Sequence, residues 1–547
     1  MCSSDLGLTA PHAEPDAPAL TGEPFRWLRP AQRAALATLP RWRSAFLWGP
    51  PGTGKTTTLG VLLAEWLDRC PEGRVLLLST THAALDLAVL AVDKALQHGR
   101  REALRPRVQR LGSRFDAAAY QGREHLIPRG SEDLIARLAR AEAARPSPRD
   151  AAALQAWSER VAALRAELRA SSLEVLRHCR LAAMTASRAA FTLRTLRQLA
   201  PDEDTPPFDL VVFDEASQIS LAHALALMPL GRTHLLAGDP QQLSPVQRSP
   251  DRLARLWLGR SPFSALPRAA AAPSVALLDE QSRMAEPIGT LVSELFYDGA
   301  LRVARDALAR PDWLAARRRS LGPADEDSHV HVEPVDGPGH WSAAERGPVR
   351  PASADAIARA VAQAMQDEAW QPEELVVLTP FRAQRARIRR ALQALGVPDT
   401  VRVSTVHRAQ GSEAPALFFD PVDATLPFLQ TEEARRLLNV ALSRAQAKLL
   451  LYLSDTDTRS PLIAPLVHRL RLADDPRTPE PLQALAAAPG FPANALGRLV
   501  QAGRVTGEVT RLSPDGRQLW LVKARSGEEV PLDVAFWRQR ATATVER

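Results

Sequence analysis

The chain contains 547 residues, of which 45% are hydrophobic and 24% are charged, proportions that are ordinary for a soluble globular protein of about three or four domains. It has no run of about 18 apolar residues and no basic segment followed by an apolar core at its start, so we expect neither a membrane span nor a secretory signal. Its three cysteines, Cys2, Cys70 and Cys179, are too scattered for a disulfide framework, a zinc ribbon or a four-cysteine iron–sulfur cluster, and they suit the reducing cytoplasm.

The net charge of the chain is +7. A polyanionic partner fits this charge, and so does an arginine-rich composition without such a partner. Only four of the 69 basic residues are lysine, namely Lys55, Lys94, Lys448 and Lys523. Because a planar guanidinium does not replace a compact ammonium between phosphates, we interpret the retention of Lys55 inside a phosphate-loop pattern as functional.

Short apolar runs separated by helical patterns predict the fold class. Ser44–Trp48 predicts a strand, a glycine loop follows, and apolar residues at helical spacing up to Asp68 predict a helix. Further strands are predicted at Val75–Leu78, Leu210–Phe213, Leu235–Ala237, Val376–Leu378, Val401–Val403, Ala416–Phe419 and Leu449–Leu453. Buried parallel strands that alternate with helices indicate an α/β protein, here with two sets of layers.

The segment from about Ile135 to Arg180 changes to a composition of Ala, Arg, Leu and Glu, and Pro146-Ser147-Pro148 divides it into two helices. The second helix carries one apolar stripe, formed by Leu154, Trp157, Val161, Leu164 and Leu168. We predict a helical insertion in the first α/β domain at about residues 98–180. It either contacts a ligand or forms a packed surface arm that contacts none.

Two later segments look different from the α/β layers. Residues from about Leu301 to Pro351 are rich in Arg, Pro and Gly and are predicted to be irregular. Near the C-terminus, short strands are predicted at Gly503–Thr510, Gln518–Ala524 and Glu528–Leu532, with a turn at Ser513–Gly516. We predict a small β module there, SH3-like or OB-like.

The segment Gly49–Thr56 matches the phosphate-loop pattern G-x-x-x-x-G-K-[ST]. Its glycines allow backbone N–H groups to surround phosphates, Lys55 is expected to reach the β and γ oxygens, and Thr56 to hold Mg²⁺. The predicted binding residues are Gly49, Gly52, Thr53, Gly54, Lys55 and Thr56.

Two further patterns follow predicted strands. Asp214 is expected to bind Mg²⁺ through water, and Glu215 to orient the attacking water. Taken alone, an Asp-Glu pair is usually surface charge, but this one follows an apolar strand downstream of a phosphate loop. Gln242, in the segment Gly238–Leu243, is expected to sense the γ-phosphate; taken alone, that segment would be an ordinary turn.

These three motifs, with further segments in the same order, resemble superfamily 1 helicases, in particular the 1B group that includes the nonsense-decay helicases and RecD-like enzymes. The resemblance runs from about Leu28 to Leu453. The further segments are Leu28–Gln32 (the Q motif), Ser79–Asp86 (motif Ia), Met184–Ser187 (the next strand-binding motif), Gln281–Met284 (the Q-Y-R-M element), Thr379–Gln384 (motif IV), Thr405–Glu413 (motif V) and Asn439–Ala445 (motif VI).

The resemblance implies two RecA-like P-loop NTPase domains with parallel sheets, at residues 22–265 and 266–456, followed by a linker and the β module at 457–547. It implies ATP and Mg²⁺ as cofactors, with Gln32 reading adenine, Glu413 binding the nucleotide, and Thr56 and Asp214 holding the metal. Arg283 and Arg444, from the second domain, are implied to place positive charge on the γ-phosphate. Ser282 stands where the family usually has a tyrosine that stacks on adenine.

The family's strand-contacting positions fall at Thr81, Thr185, Pro380 and Thr405, although each of these residues could instead cap a helix or form a turn. The resemblance implies an ATP-driven helicase or translocase on single-stranded DNA or RNA, moving 5′ to 3′, with the β module as a possible surface for a protein partner. Two alternatives remain: a nucleic-acid-stimulated ATPase that remodels protein–nucleic acid complexes without separating strands, and an ATP-gated binding scaffold.

Overall fold

The computed structural model describes residues 25–112, 114–128, 131–147, 150–247, 249–268, 272–368, 370–409, 412–473, 480–502, 505–523 and 529–545. The predicted domain start at residue 22 lies outside these ranges, as do Cys2, Pro148, Gln410, Gly411 and Gly503. Within them, no helix combines the length and the apolar character needed to cross a bilayer. The chain divides into two compact units, Met1–Glu280 and Gln281–Arg547.

Among the described residues of the first unit, seven parallel strands form one sheet in the order β3-β4-β2-β5-β6-β1-β7. They are β1 (Ser44–Trp48), β2 (Val75–Ser79), β3 (Val108–Arg110), β4 (Leu181–Thr185), β5 (Phe208–Phe213), β6 (Gly231–Gly238) and β7 (Val275–Leu277). Apolar cores cover both faces of the sheet, as expected for parallel strands that read as continuous apolar runs.

Helices follow the carboxyl ends of several of these strands, which places their N-termini along one edge of the sheet. The helices of this unit are α1 (Pro30–Thr38), α2 (Lys55–Arg69), α3 (His82–His98), α4 (Ser131–Ala143), α5 (Ala151–His178), α6 (Ala186–Phe191), α7 (Leu193–Arg197), α8 (Leu221–Leu227) and α9 (Arg252–Leu258). The predicted helix after the glycine loop is α2, whose residues Leu59, Leu62, Leu63 and Leu67 are buried against the sheet.

The first unit departs from the prediction at two edges of its sheet. Val275–Leu277 pairs with β1, so this unit continues to Glu280, beyond the boundary expected at residue 265. The expected insertion at 98–180 is a helical hairpin only over α4 and α5, because Val108–Arg110 pairs with β4 as an edge strand. The hairpin has a small core of its own, in which Val161 and Leu164 are buried as the stripe predicts.

In the second unit, the main sheet is again parallel, with the order β10-β16-β15-β13-β14 among the described residues. The strands in this part of the chain are β8 (Glu280–Gln281), β9 (Arg302–Val303), β10 (Val330–Pro334), β11 (His340–Ser342), β12 (Gly347–Val349), β13 (Leu375–Thr379), β14 (Arg402–Thr405), β15 (Ala414–Phe419) and β16 (Ala445–Leu453). The α/β class with two parallel sheets is therefore confirmed.

The helices of the second unit cover this sheet and continue into the C-terminal segment. They are α10 (Glu286–Phe296), α11 (Arg305–Leu308), α12 (Pro311–Ala315), α13 (Pro351–Asp367), α14 (Arg382–Ala394), α15 (Glu432–Leu442), α16 (Asp455–Thr458), α17 (Ala464–Ala473), α18 (Leu482–Ala487) and α19 (Val534–Val545). The prediction that Leu301–Pro351 is irregular is wrong, since this stretch contains β9 to β12 together with α11 and α12.

The C-terminal segment forms a five-stranded sheet among its described residues. Its strands follow chain order: β17 (Glu480–Pro481), β18 (Leu499–Ala502), β19 (Val505–Leu512), β20 (Gln518–Lys523) and β21 (Glu529–Asp533). The predicted strands correspond to β19, β20 and β21, whereas β17, β18 and the two packing helices α18 and α19 were not expected. In the part of the chain that the structure describes, β17 and β21 do not pair with each other, so the sheet is open.

The retained lysine Lys448 lies in the second sheet with a fully buried side chain. Its ammonium donates hydrogen bonds to the backbone carbonyls of Asp325, Glu326 and Ser328. Burial lowers its pKa. Three donors on one small head group suit this set of carbonyls, which explains why arginine has not replaced lysine here.

We expect Lys448→Met to lower the stability of the second unit by about 2–4 kcal/mol, because three buried carbonyls lose their donor. Urea unfolding monitored by circular dichroism measures this change. Lys94→Met, the same substitution at an exposed position of α3, is the matched control and should leave the transition unchanged. Equal transitions for both variants would show that the carbonyls find other donors.

Candidate nucleotide-binding and hydrolysis site

The glycine loop Gly49–Thr56 connects β1 to the N-terminus of the 15-residue helix α2. Gly52 and Gly54 have φ angles of 75° and 77°, in the left-handed region that favours glycine. A Cβ on Gly49 would lie 2.6 Å from the Cβ of Lys55, so this position also requires glycine. The loop therefore brings its backbone to the positive end of a long helix, which is an arrangement that binds phosphate groups.

The Lys55 ammonium lies between two carboxylates at the carboxyl edge of the sheet. Its Nζ is 2.7 Å from Asp214 Oδ1 and 2.9 Å from Glu215 Oε1. Burial by itself would lower the pKa of Lys55, but the charges of Asp214 and Glu215 outweigh that effect, and the pKa is raised above its usual value. The structure thus brings together three residues that the sequence predicts for ATP hydrolysis.

The two carboxylates follow β5 in different environments. Asp214 is buried, and its backbone N–H donates to the carbonyl of Leu78 in β2 at 2.7 Å. Glu215 is partly exposed and adopts φ 52°, ψ 39°, a left-handed conformation that costs a non-glycine residue on the order of 1–3 kcal/mol. Strain of this kind persists where the surrounding structure enforces it, and here it accompanies the contact between Glu215 and Lys55.

Gln242 is held at the end of β6 by a carboxylate that the sequence analysis missed. Asp239 is 1% exposed and accepts hydrogen bonds from the Gln242 side-chain amide at 2.9 Å and from the Trp48 indole at 3.0 Å. The backbone N–H of Gln241 donates to the same carboxylate at 3.0 Å. The available signal was an acidic residue directly after an apolar strand, the same pattern that indicated Asp214.

Gln32 packs against the glycine loop from α1. Its amide nitrogen donates to the Thr53 carbonyl at 3.1 Å, and its amide oxygen accepts from the Arg29 N–H at 2.9 Å. A Cβ on Gly54 would lie 2.6 Å from the Gln32 amide nitrogen, which is a second reason for glycine at that position. The structure therefore gives Gln32 a role in holding the loop, while its expected contact with adenine stays a prediction.

The donors expected for Mg²⁺ are the Thr56 hydroxyl, at the start of α2, and the Asp214 carboxylate. Both supply hard oxygen atoms at the edge of the loop, which is the ligand type that Mg²⁺ prefers together with water and phosphate. Among the described residues, no group of three or more His, Cys, Asp and Glu side chains could hold a metal by itself. The residues present fit a metal that the phosphates help to bind.

In the second unit, the predicted residues Arg283, Glu413 and Arg444 lie in one cluster. Arg283 forms an ion pair with Glu413 and donates to the Ser443 carbonyl at 3.2 Å. Arg444 is 4% exposed and donates to the carbonyls of Val440 at 3.0 Å and Ser412 at 3.2 Å. The Q-Y-R-M-like element and motifs V and VI thus meet within this unit.

The backbone around Arg283 is fixed by side chains that the sequence analysis did not single out. The fully buried Gln281 accepts hydrogen bonds from the N–H groups of Arg283 and Met284, both at 2.8 Å. The Trp313 indole donates to the Ser282 carbonyl at 2.8 Å, and the Arg317 guanidinium donates to the Arg283 carbonyl at 2.6 Å. Arg317 also stacks on Trp313, with its guanidinium carbon 3.8 Å from the ring centre.

The predicted strand-contacting residues lie at the carboxyl edges of the two main sheets. Thr81 caps α3 by accepting from the Ala84 N–H at 3.2 Å, and Thr185 caps α6 by accepting from the Arg188 N–H at 3.3 Å. Pro380 directly follows β13, and Thr405 ends β14 opposite Thr379. The helix-capping alternative is therefore confirmed for Thr81 and Thr185, and contact with nucleic acid stays a prediction for all four.

Two AAA domain family models match the chain, one over residues 32–248 and the other over residues 258–455. The DNA replication ATP-dependent helicase/nuclease DNA2 of Mus musculus is 28% identical over 454 residues, covering 77% of this chain and 36% of that protein. The chain belongs to superfamily 1 of the helicases. It carries two AAA domains and spans little more than a third of the length of mouse DNA2.

A second relative of this superfamily 1 helicase is the DNA polymerase alpha-associated DNA helicase A of Schizosaccharomyces pombe, 26% identical over 435 residues that cover 74% of this chain and 60% of that protein. Among solved structures, the complex of the Arterivirus nonstructural protein 10 helicase with DNA has 14% sequence identity and a TM-score of 0.35, covering 77% of this chain and 63% of the viral one. A TM-score of that size is too low to infer a shared arrangement of domains.

We expect Asp239→Asn to slow ATP hydrolysis by the protein on the order of tenfold to a hundredfold, because one acceptor oxygen becomes a donor and Gln242 loses its fixed position. Steady-state kinetics should show the loss in kcat, with a nearly unchanged KM for ATP. Asp204→Asn, at an exposed loop position of the same unit, is the control. A wild-type kcat for Asp239→Asn would show that the position of Gln242 does not matter for hydrolysis.

Proposed function

We propose that this chain hydrolyses ATP to move along a single strand of nucleic acid and separate duplexes. The observation that carries this proposal is the contact of the Lys55 ammonium with both Asp214 and Glu215 beside the glycine loop Gly49–Thr56. A phosphate loop alone supports only the binding of a nucleoside triphosphate. A carboxylate pair at the same point adds the groups that phosphoryl transfer to water needs.

Each of the site residues in the first unit has its own role in ATP hydrolysis. On binding ATP, Lys55 exchanges its carboxylate partners for the β and γ oxygens. Thr56 and Asp214 would hold Mg²⁺, which would neutralise charge on the phosphates. Glu215 orients the attacking water and accepts its proton. Gln242, fixed by Asp239, senses whether the γ-phosphate is present and changes its contacts when phosphate leaves.

Two arginines of the second unit supply positive charge for the same reaction. Arg283 and Arg444 are held by backbone carbonyls and by Glu413, so their guanidinium groups are ordered before any substrate binds. An ordered guanidinium stabilises the charge that develops on a transferring phosphoryl group at little entropic cost. Replacing either arginine should slow hydrolysis more than it weakens ATP binding.

For the substrate, we propose single-stranded DNA with movement from 5′ to 3′. The two relatives described above are named as DNA helicases, and the net charge of +7 suits a polyanion. The open C-terminal sheet, with the half-exposed Phe536 on its adjoining helix α19, is a candidate surface for a protein partner. The direction of movement rests on the resemblance to the 1B group.

Two substitutions should separate binding from hydrolysis. Lys55→Ala should abolish ATP turnover, because the phosphates lose their cation. Glu215→Gln should lower the turnover rate by a factor on the order of a hundred or more while preserving ATP affinity, because an amide does not accept the proton from water. Phosphate release and equilibrium ATP binding measure these effects, with Lys523→Ala as a control. Wild-type hydrolysis by Glu215→Gln would refute its role as the base.

An unwinding assay tests the motor itself. Duplexes with a 5′ tail, a 3′ tail or blunt ends are incubated with ATP, and ATP turnover is recorded with single-stranded DNA and RNA side by side. We expect opening of the 5′-tailed duplex and faster turnover with DNA. If turnover rises with single strands but no duplex opens, the protein is a remodelling ATPase rather than a helicase. If single strands do not change turnover, both assignments fail and the binding scaffold is favoured.

A further inference from the structure

Helix α14 of the second unit carries five arginines, which lie on two of its sides. Residues that are three, four or seven positions apart share one side of a helix. Arg382, Arg385 and Arg389 therefore lie on one side, and Arg387 and Arg390 lie on another. The two sets can thus meet different partners.

Carboxylates neutralise the arginines of the second side. Arg387 pairs with Asp355 at 3.3 Å, and Arg390 forms an ion pair with Glu345. The three arginines of the first side are different, because no hydrogen bond or ion pair of their side chains is found in the part of the chain that the structure describes. One helix thus carries both kinds of arginine, and only the first side is available to an external anion.

Arg408 adds a fourth positive charge to the first side. It lies in the short 3₁₀ turn after β14, and α14 packs against β14. Its guanidinium likewise has no hydrogen bond or ion pair within the described residues. Burial lowers the pKa of Arg385, and the charges of the other three arginines lower it further. The four-arginine patch consists of Arg382, Arg385, Arg389 and Arg408.

The exposed surface of α14 suits a polyanion better than a protein partner. Its large apolar residues, Ile388 and Leu392, are buried. The centre of a protein interface is more apolar than the remaining surface, and this helix offers no large apolar side chain to it. Guanidinium groups bind phosphate oxygens through charge-assisted pairs of hydrogen bonds, and a phosphodiester backbone presents such oxygens at every nucleotide. A row of arginines along one helix therefore matches a nucleic-acid backbone.

The patch extends away from the edge of the sheet where the moving strand is expected. Pro380 and Thr405, the expected strand contacts of this unit, lie at the carboxyl ends of β13 and β14. These strands are parallel neighbours, so the helix α14 that connects them runs from this edge back towards the opposite one. At a rise of about 1.5 Å per residue, Arg389 lies about 10 Å along the helix from Arg382. The patch thus leads from the expected strand contacts onto the side of the unit.

We propose that the four-arginine patch binds the phosphodiester backbone of nucleic acid that flanks the strand on which the protein moves. This inference rests on the proposed function and adds a second contact surface to it. Arg385 and Arg389 lie outside every segment that resembles a superfamily 1 motif, so the resemblance does not assign this surface. The flanking nucleic acid is either a continuation of the bound single strand or the duplex arm beside it, and both present the same phosphodiester groups. Contacts to phosphates carry no sequence information, so the patch should raise affinity for all sequences alike.

The test measures equilibrium binding of three labelled DNA probes to the full chain by fluorescence anisotropy at several salt concentrations. The probes are the shortest oligothymidylate that fully stimulates ATP turnover, a longer oligothymidylate, and a duplex that carries the short sequence as its 5′ tail. The double variant Arg385→Gln, Arg389→Gln should bind the short strand like the wild type. It should bind the longer strand, the tailed duplex or both on the order of tenfold more weakly. The slope of log affinity against log salt concentration should fall by about 1.4 for single strands or about 1.8 for the duplex, because two phosphates lose their cations.

The matched control is the double variant Arg387→Gln, Arg390→Gln. It removes the same two charges from the same helix, at positions where carboxylates already neutralise them. This control should bind all three probes with the affinity and salt slope of the wild type. Circular dichroism verifies that both double variants are folded.

The probe that is affected identifies the source of the phosphodiester. Weaker binding of the longer strand identifies the continuation of the single strand, and weaker binding of the tailed duplex alone identifies the duplex arm. If Arg385→Gln, Arg389→Gln binds every probe like the wild type, the patch is a solvated or protein-binding surface and the inference is wrong, while the proposed function stands. Equal losses for this variant and the control, or a loss on the short strand, would also contradict a flanking site. If the wild-type chain binds none of the probes, the proposed function fails and this inference fails with it.

Discussion

The contact of one ammonium with two carboxylates organises the carboxyl edge of the main sheet in the first unit. Lys55 is carried by α2 after β1, whereas Asp214 and Glu215 follow β5, and the structure places the Lys55 ammonium within 2.9 Å of both carboxylates. In the sheet, β6 lies between β1 and β5, so the contact requires that all three parallel strands end at the same edge. Buried charges of opposite sign tolerate little misplacement, because each one left alone would carry a large desolvation cost.

Neighbouring polar residues hold the ends of these strands and the glycine loop in place. Asp239 directly follows β6, the strand between β1 and β5, and connects Trp48 at the end of β1 with Gln242. Gln32 also holds the loop, by donating a hydrogen bond to the Thr53 carbonyl. Each strand end in this part of the sheet therefore contributes a polar group to one network of hydrogen bonds and ion pairs, so the side chains proposed to bind and hydrolyse ATP are ordered in the absence of nucleotide.

The sequence predicted the residues of this site because their signals are local: a loop with defined glycines, and carboxylates directly after apolar runs. The main strands were also predictable, since buried parallel strands read as continuous apolar segments. What sequence patterns missed are elements whose stability comes from pairing. Val108–Arg110 and Val275–Leu277 are three-residue edge strands, and Val330–Pro334 alternates polar and apolar residues on a half-buried edge. Contacts such as the hydrogen bond between Trp313 and Ser282 join residues far apart in sequence, so no short sequence pattern predicts them.

The α4–α5 hairpin can change in length and sequence with little effect on the main sheet of the first unit. Leu134, Leu138, Val161 and Leu164 in its outer part pack on one another in a cluster separate from the two cores that cover the sheet, and α5 joins one of those cores at Leu176, near its C-terminus. Lengthening, shortening or replacing the hairpin therefore removes little support from the strands that carry the phosphate site. Evolution can alter this arm at low cost, and a fluorescent label or an affinity handle at its tip would report on the protein while leaving the ATP chemistry undisturbed.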